Sequence, residues 1–229
     1  MKELKVIARI RTDFPTKFGI PRQSGLAEGL KAEIVMEPAY RDPVAMRGLA
    51  EFSHIWLIWD FSKVEREGWS ATVCPPRLGG NRRMGVFATR SPFRPNPIGL
   101  SCVKLEGIVF DSRGTVLKVS GADLMDGTPI FDIKPYLPIA DCKPDAKAGF
   151  AESTADHALK VIFDEELKQK VPADRLAGLI SALEQDPRPA YQNDPDREYG
   201  FYFLNFDIRF RVCEDTLTVT EIVFNEGEG

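Results

Sequence analysis

Short apolar runs, rich in β-branched and aromatic residues and separated by turn residues, make up most of the first 140 positions. Such runs are typical of β-strands. The predicted strands are residues 5–10 (KVIARI), 32–36 (AEIVM), 52–61 (FSHIWLIWDF), 100–110 (LSCVKLEGIVF) and 115–120 (TVLKVS). The third run is nearly continuous, which predicts a strand buried on both faces. The turn DSRG at 111–114 predicts a hairpin between the last two runs. Strands at this spacing predict an antiparallel barrel or sandwich.

After Pro144 the spacing of the apolar residues changes from that of strands to that of helices. Residues 156–170 and 173–185 carry apolar side chains every three to four positions, which predicts two amphipathic helices. Residues 201–212 and 216–224 then predict a β-hairpin. The chain is therefore predicted to be mainly β, with a first domain over residues 1–140 and a smaller α+β domain over residues 141–229.

Composition narrows the class of protein. The chain has 229 residues, of which 43% are hydrophobic, as expected of a folded globular protein. No apolar run approaches the roughly 20 residues of a membrane-spanning helix, so no membrane association is expected. His54 and His157 are the only histidines and have no metal-ligand spacing, so no metal site is expected. Four isolated cysteines favour reduced thiols and a cytoplasmic location; they are Cys74, Cys102, Cys142 and Cys213.

The net charge of −4 conceals a strong asymmetry. Residues 1–140 carry 20 Lys and Arg against 15 Asp and Glu, whereas residues 141–229 carry 10 against 19. The sequence has no acidic residue between Glu67 and Glu106, and that stretch holds six basic residues. A basic stretch in an acidic protein indicates an anionic partner such as phosphate or RNA. A merely solvated surface explains the charge count equally well. The six residues are Arg77, Arg82, Arg83, Arg90, Arg94 and Lys104.

A proline-rich loop, GVFATRSPFRPNPIGLS at residues 85–101, is the strongest candidate for a functional site. Its three prolines, Pro92, Pro95 and Pro97, exclude helix and central strand. What remains is a stiff loop that holds Arg90, Arg94 and Asn96 in fixed directions. Such loops usually serve a ligand. The alternative is a rigid surface turn with solvated arginines.

Two further segments carry site-like residues in irregular stretches. Residues 14–25 (FPTKFGIPRQSG) place Arg22, Gln23 and Ser24 between glycines and prolines, although a solvated loop is an equal interpretation. Residues 121–135 (GADLMDGTPIFDIKP) contain the strong turn DGTP at 126–129, which presents backbone groups to a ligand, although a plain β-turn is the commoner explanation.

The segment 186–199 mixes cations with aromatic rings, a combination that suits a stacked base and a phosphate. Its candidates are Arg188, Tyr191, Arg197 and Tyr199. Ion pairs with the neighbouring acidic residues are the interpretation that charge alone favours. His54 lies inside the apolar run 52–61, where a hydrogen-bonded core residue is expected more than a catalytic base.

Several nucleotide and hydrolase motifs do not occur in the sequence, namely GxGxxG, the P-loop, HExxH and GxSxG. Nucleotide binding by a Rossmann or P-loop site is therefore disfavoured. The residues alone predict a β-rich protein with a rigid arginine-bearing site and an anionic ligand.

The irregular segments together resemble one family. The proline loop, PRQSG at 21–25, EFSHIWLIWDF at 51–61, DGTPIFDIKPY at 126–136 and DPRPAY at 186–191 match, in order, the motifs of the TsaA/TrmO family, also called YaeB-like. The resemblance implies S-adenosylmethionine-dependent methylation of N6-threonylcarbamoyladenosine at position 37 of tRNA. It also implies a small β-barrel that binds the cofactor without a Rossmann sheet, and a homodimer with cofactor sites near the subunit interface.

The resemblance also implies which residues form the site. The cofactor contacts are expected at Pro21, Arg22, Gln23, Phe61, Ser62, Arg90, Leu100, Asp126, Gly127, Thr128 and Pro129. Histidine is common in the family at the position of Ser62, so this sequence departs from the family pattern there. Substrate contacts are expected at Arg94, Asn96, Arg188, Tyr191, Arg197 and Tyr199. Asp126 is the first candidate for accepting the N6 proton of the target base, and His54 is the second.

An alternative from a different class is a non-catalytic RNA- or nucleotide-binding β-barrel, in which the same basic loop clamps a phosphate. The two hypotheses differ in one observable. Only the methyltransferase is expected to bind S-adenosylmethionine in the absence of RNA.

Overall fold

The structure is a computed structural model, and it describes residues 3–64, 68–75, 82–154, 158–188, 192 and 194–225. Arg77, His157 and Tyr191 lie outside the described residues. The strands are β1 (Ala8–Arg11), β2 (Lys31–Met36), β3 (His54–Asp60), β4 (Thr72–Val73), β5 (Met84–Gly85), β6 (Ile98–Asp111), β7 (Gly114–Ser120), β8 (Pro129–Pro135), β9 (Lys160–Ile162), β10 (Tyr199–Phe203), β11 (Phe206–Cys213) and β12 (Thr216–Phe224). The helices are α1 (Pro138–Asp141), α2 (Glu165–Lys168) and α3 (Ala173–Glu184).

Six of these strands form a ring of antiparallel pairs in the order β1-β2-β7-β6-β3-β8, and β8 pairs back onto β1. The predicted hairpin at 111–114 is confirmed, because Asp111 pairs with Gly114 between β6 and β7. The mainly β, antiparallel character predicted for this part of the chain is likewise confirmed. In the part of the chain that the structure describes, no helix is long and apolar enough to cross a membrane.

The prediction that residues 52–61 are buried on both faces is wrong. Along β3, Ile55, Leu57 and Trp59 are buried, while the alternating residues are half-buried. A ring of strands has one core, so only one face of each strand reaches it. The outer face of β3 is partly covered by α1, where the indole Nε1 of Trp56 donates a hydrogen bond to Asp141 Oδ2 at 3.0 Å.

Residues beyond 158 form a four-stranded sheet of order β10-β11-β12-β9, against which α3 packs. The predicted helix at 173–185 is confirmed by α3, and the predicted turn between 212 and 216 is confirmed by the pairing of β11 with β12. The prediction of a single strand over 201–212 is wrong, because the chain turns after Phe203 and β10 pairs in antiparallel fashion with β11. The predicted helix at 156–170 is wrong as a continuous element, since among its described residues only Glu165–Lys168 is helical. Lys160–Ile162 instead pairs in parallel with Thr216–Thr218, and only the short α2 follows. Sheet pairing of β-branched residues here overrides the helical spacing.

The loop between β1 and β2 belongs to the core of the second sheet. Phe14, Ala27 and Leu30 are buried in the same apolar cluster as β10, β11 and α3. The ring of Phe14 lies 5.5 Å from that of Phe203 in an edge-to-face contact. The buried carboxylate of Asp13 pairs with Arg175 of α3, with 3.2 Å between Oδ2 and Nη1. The loop that contains PRQSG is thus held by residues far away in the sequence.

Candidate functional site

Two of the predicted loops meet at Arg90 and Gln23. The guanidinium Nη1 of Arg90 donates a hydrogen bond to the amide Oε1 of Gln23, although the residues are 67 positions apart. The Gln23 amide in turn donates to the backbone oxygen of Arg22 at 2.5 Å. The pair joins the proline loop to the PRQSG loop, as expected for two walls of one site.

Internal hydrogen bonds give the proline loop its shape. Arg94 donates to the backbone oxygens of Thr89 at 2.9 Å and Ser91 at 3.4 Å, so its side chain binds its own loop. Asn96 is exposed, and its backbone oxygen accepts a hydrogen bond from Ile98 N at 2.8 Å. With Arg94 so engaged, the exposed Arg90 is the cation that the loop offers to a ligand.

The end of β3 adjoins the same loop. The backbone N–H of Phe61 donates to the carbonyl of Pro97 at 3.0 Å, and the ring of Phe61 lies 4.3 Å from that of Trp59. Ser62 is exposed, as is Leu100, whose relative exposure is 50%. These predicted cofactor contacts therefore border the proline loop.

Asp123 is a residue that the sequence did not single out. The hydroxyl of Ser101 donates to Asp123 Oδ1 at 2.5 Å, and the buried indole of Trp59 donates to the Ser101 oxygen at 2.9 Å. The backbone N–H of Ser24, in the PRQSG loop, also bonds to this carboxylate, and the positive charge of Arg90 acts on it. Asp123 thus connects the two loops to β6.

Burial raises the pKa of Asp123 above the usual aspartate value, although the Ser101 hydrogen bond and the charge of Arg90 oppose this. A carboxyl with a raised pKa beside a cluster of ligand-facing groups is a common feature of functional sites. The sequence signal was weak, because the neighbouring DGTP turn drew attention to Asp126. The sequence offered one hint, an acidic residue between the apolar residues Ala122 and Leu124. The structure shows that both of these neighbours are buried.

The DGTP turn is present as predicted, with Gly127 at a positive φ of 76°. The two carboxylate oxygens of Asp126 are engaged: Oδ1 accepts the N–H of Thr12 at 3.0 Å, and Oδ2 accepts Arg11 Nη1 at 3.3 Å. Thr128 is buried, and its hydroxyl donates to the carbonyl of Met125 at 2.7 Å. Asp126 therefore anchors the turn to the end of β1.

His54 lies on the outer face of β3, whereas Trp59 lies on the inner face. Its Nδ1 is 2.9 Å from the hydroxyl of Ser53, and its ring is 6.2 Å from that of Tyr136. Its described contacts do not include the cluster of Arg90, Gln23 and Asp123. His54 is hydrogen-bonded, as predicted, but the prediction that it is a core residue is wrong, because it is half-buried on the outer face of β3.

The candidates of the second domain are mostly turned inward. Arg188 pairs with Asp186 through two bonds of 2.8 Å, and its side chain is only 10% exposed. Tyr199 is buried and stacks on Phe210 at 5.8 Å. Arg197 is exposed and lies 5.6 Å from the centre of the Tyr199 ring. The ion-pair interpretation therefore describes Arg188.

The groups gathered around the two loops fit a ligand with mixed charge. Arg90 offers a cation, Asp123 a carboxylate and Gln23 an amide. Leu100 exposes an apolar surface on the other face of β6 from Ser101. Within the described ranges, no cluster of three or more His, Cys, Asp or Glu side chains could hold a metal ion.

Relative to wild type, the stability of an Asp123→Asn variant is expected to rise as the pH rises above about 4. Because the folded pKa of Asp123 is raised above the ordinary value of about 3.9, the folded state binds the proton more tightly than the unfolded chain. Wild-type stability is therefore lost as the pH rises through the folded pKa, and the variant lacks this loss. Thermal unfolding of both proteins across this range measures the difference. If the stability of the variant instead falls relative to that of wild type as the pH rises, the charge of Arg90 outweighs burial in setting the pKa of Asp123.

The fold and the candidate site define a mainly β protein in which two irregular loops meet at Arg90 and Gln23. Residues 9–142 match the tRNA-methyltransferase O N-terminal domain, and residues 156–225 match the TrmO C-terminal domain. The chain belongs to the tRNA-methyltransferase O (TrmO) family.

Named relatives agree with this assignment. The tRNA (adenine(37)-N6)-methyltransferase of Escherichia coli K12 is 42% identical over 220 residues, which cover 93% of this chain and 94% of that protein. The enzyme of the same name from Eikenella corrodens is 47% identical over 178 residues, covering 77% and 99%. The crystal structure of TrmO from Pseudomonas aeruginosa superposes with a TM-score of 0.79 at 33% identity and covers 98% of both chains. Two further relatives carry S-adenosylmethionine in their names. The one from P. aeruginosa is 39% identical and covers 89% of this chain and 90% of its own length. The one from Pyrococcus abyssi is 33% identical and covers 69% and 80%.

Proposed function

We propose that this protein methylates N6 of adenosine 37 in tRNA with S-adenosylmethionine as the methyl donor. Family membership supports the reaction, and the cluster of Arg90, Gln23 and Asp123 is the observation that carries the location of the site. As a finer point, we propose that the accepted base already carries the N6-threonylcarbamoyl group. A tRNA substrate fits a cytoplasmic enzyme.

The chemistry of the site suits S-adenosylmethionine. Arg90 is placed to bind the carboxylate of the methionine portion, and Asp123 offsets the positive charge of the ligand. Leu100 offers apolar contact to the adenosyl portion. The remaining proposed contacts are Pro21, Arg22, Gln23, Phe61, Ser62 and the turn Asp126, Gly127, Thr128 and Pro129. When bound, this cofactor supplies a methyl group activated by its sulfonium.

Catalysis is proposed to depend mainly on positioning. The N6 nitrogen of a carbamoylated adenine is a poor nucleophile, because its lone pair is delocalised. Holding it in line is worth about 7–11 kcal/mol in well-oriented reactions. The stiff proline loop and the buried Trp59–Ser101–Asp123 hydrogen-bond chain supply such rigidity.

The N6 proton must also be removed. Asp126 and His54 stay the two candidates that the sequence suggested, but Asp126 is engaged by Thr12 and Arg11. Asp123 is a third candidate: it is also engaged, by Ser101 and the backbone N–H of Ser24, but unlike Asp126 it lies where the positive charge of Arg90 acts on it. Burial raises its pKa, which makes it a stronger base than an exposed aspartate.

The division of labour along the chain is also a proposal. Residues 1–140 form the barrel that binds the cofactor, and residues 141–229 form an α+β unit that contacts tRNA. Proposed tRNA contacts are the exposed Asn96 and Arg197 together with Tyr191, whereas Arg94, Arg188 and Tyr199, which are held by hydrogen bonds or burial, are proposed to support that surface. A homodimer is proposed because the outer face of the ring exposes apolar residues on neighbouring strands, with Ile98 37% and Leu100 50% exposed on β6 and half-buried Ile58 beside them on β3.

Mass spectrometry of tRNA nucleosides tests the function. With protein and S-adenosylmethionine, we expect the N6-methyl form of N6-threonylcarbamoyladenosine to appear, and omission of either component should abolish it. A parallel reaction with tRNA that lacks the threonylcarbamoyl group tests the finer point. Calorimetric titration with S-adenosylmethionine alone should show binding. Absence of both binding and product would favour the non-catalytic RNA-binding barrel.

A further inference from the structure

Two exposed aromatic rings stand beside the candidate site without a role in the function proposed above. Trp69 is 54% exposed and Phe87 is 73% exposed, the latter among the most exposed large apolar residues described. Their ring centres lie 6.5 Å apart and their planes differ by 24°. We name this pair the aromatic platform.

The aromatic platform is part of the same structural unit as the proline loop. Phe87 lies in a 3-10 turn, Val86–Ala88, that ends two residues before Arg90. Next to Trp69, the N–H of Ser70 donates to the carbonyl of Phe93 at 3.1 Å. The short β4–β5 pair between Thr72 and Gly85 joins the two sides. The platform is therefore fixed relative to Arg90.

The surroundings of the platform are basic. Arg82 and Arg83 are exposed directly before β5, and the Nε of Arg83 donates to Thr72 Oγ1 at 3.0 Å. In the sequence, residues 68–105 contain no Asp or Glu. Exposed rings combined with cations are the features that bind single-stranded RNA, because bases stack on the rings while the cations neutralise phosphates.

We propose that the aromatic platform stacks an unpaired base of the anticodon loop next to the base that is methylated. This proposal rests on the proposed function, because it needs tRNA as the substrate. Enzymes that modify a base act on single-stranded substrate or on a base turned out of its stack, and in either case neighbouring bases of the loop are open to stacking on the protein. Phe87 lies three residues before Arg90 in the same loop, so a base stacked on the platform lies close to the candidate cofactor site.

The test compares Trp69→Ala and Phe87→Ala with wild type in steady-state methylation of tRNA. Loss of one base–aromatic stack costs ~1–3 kcal/mol, so KM for tRNA is expected to rise roughly 5- to 150-fold. The affinity for S-adenosylmethionine, measured by calorimetry, should stay unchanged. Phe87→Trp should retain a low KM. Phe110→Ala is the matched control, since Phe110 is an exposed phenylalanine (59%) at the far end of β6.

Three outcomes overturn the proposal. An unchanged KM for tRNA in both alanine variants removes the platform from RNA binding. An equal loss of cofactor affinity makes it part of the cofactor pocket. Sedimentation that shows dimeric wild type and monomeric variants makes it an interface between two copies of this chain.

A binding experiment separates failure of this proposal from failure of the proposed function. Titration of the protein with a short single-stranded RNA of the anticodon-loop sequence is expected to quench the fluorescence of Trp69. A Trp69→Phe variant, which retains Trp56 and Trp59, identifies the part of the signal that comes from Trp69. Quenching without methylation of tRNA would contradict the proposed methyltransferase function but support RNA binding by the platform. Methylation without quenching would support the proposed function and contradict the role of the platform.

Discussion

Replacing Arg90 with alanine is expected to reduce tRNA methylation by roughly 10²-fold or more while leaving the fold intact. Arg90 is proposed to hold the cofactor carboxylate, and misplacement of a bound reactant by about 1 Å can cost about 10²-fold in rate. The change removes the cation of the proline loop and its hydrogen bond to Gln23, so the two loops lose their direct link. Initial rates at saturating tRNA, with calorimetric titration of S-adenosylmethionine, measure the effect.

The fold should survive, because Arg90 is exposed and exposed substitutions usually change stability by about 0.5 kcal/mol or less. Arg47→Ala provides the control, as it removes an exposed arginine outside both loops. Arg90→Lys is expected to recover little activity, since an ammonium group cannot reproduce the planar guanidinium fork. Turnover like that of wild type in Arg90→Ala would exclude Arg90 from the site.

Gly19→Ala is expected to weaken cofactor binding by about tenfold, although Gly19 itself is not a proposed contact. A Cβ atom at Gly19 would lie 2.2 Å from the Phe201 ring of β10, so the loop must shift. Its φ of +82° adds backbone strain of about 1–3 kcal/mol. Because Pro21 and Gln23 follow directly, the shift reaches the predicted cofactor contacts. Calorimetry with S-adenosylmethionine and thermal unfolding give the two readouts.

Gly25→Ala separates strain from the collision. Gly25 has nearly the same φ, +80°, but no atom lies within 4 Å of its would-be Cβ. Both variants should be destabilised by backbone strain at a positive φ. Only Gly19→Ala should add an overpacking cost of about 1–3 kcal/mol. Adding Phe201→Leu should partly restore Gly19→Ala. Equal cofactor affinities in the two glycine variants would show that the second sheet does not position the PRQSG loop.

Local sequence patterns predicted the elements that neighbouring residues alone stabilise. The hairpin at 111–114, the helix at 173–184 and the DGTP turn need only short-range hydrogen bonds and side-chain spacing, and each is present. The helix predicted at 156–170 failed as a continuous element because the competing interaction, parallel pairing of Lys160–Ile162 with β12, joins segments more than 50 residues apart. The same reason applies to β3, whose two faces differ only because one of them reaches the core.

The candidate site divides in the same way. The sequence by itself determined the stiff proline loop, the PRQSG loop and the turn, because proline, glycine and aspartate restrict the backbone locally. Only the tertiary structure decided that Arg90 meets Gln23, that Asp123 rather than Asp126 joins the loops, and that Phe14 and Gly19 lean on the second sheet. Such contacts depend on the directions of side chains in segments that are distant in the sequence. Those directions are determined only when the strands pair and the two apolar cores pack.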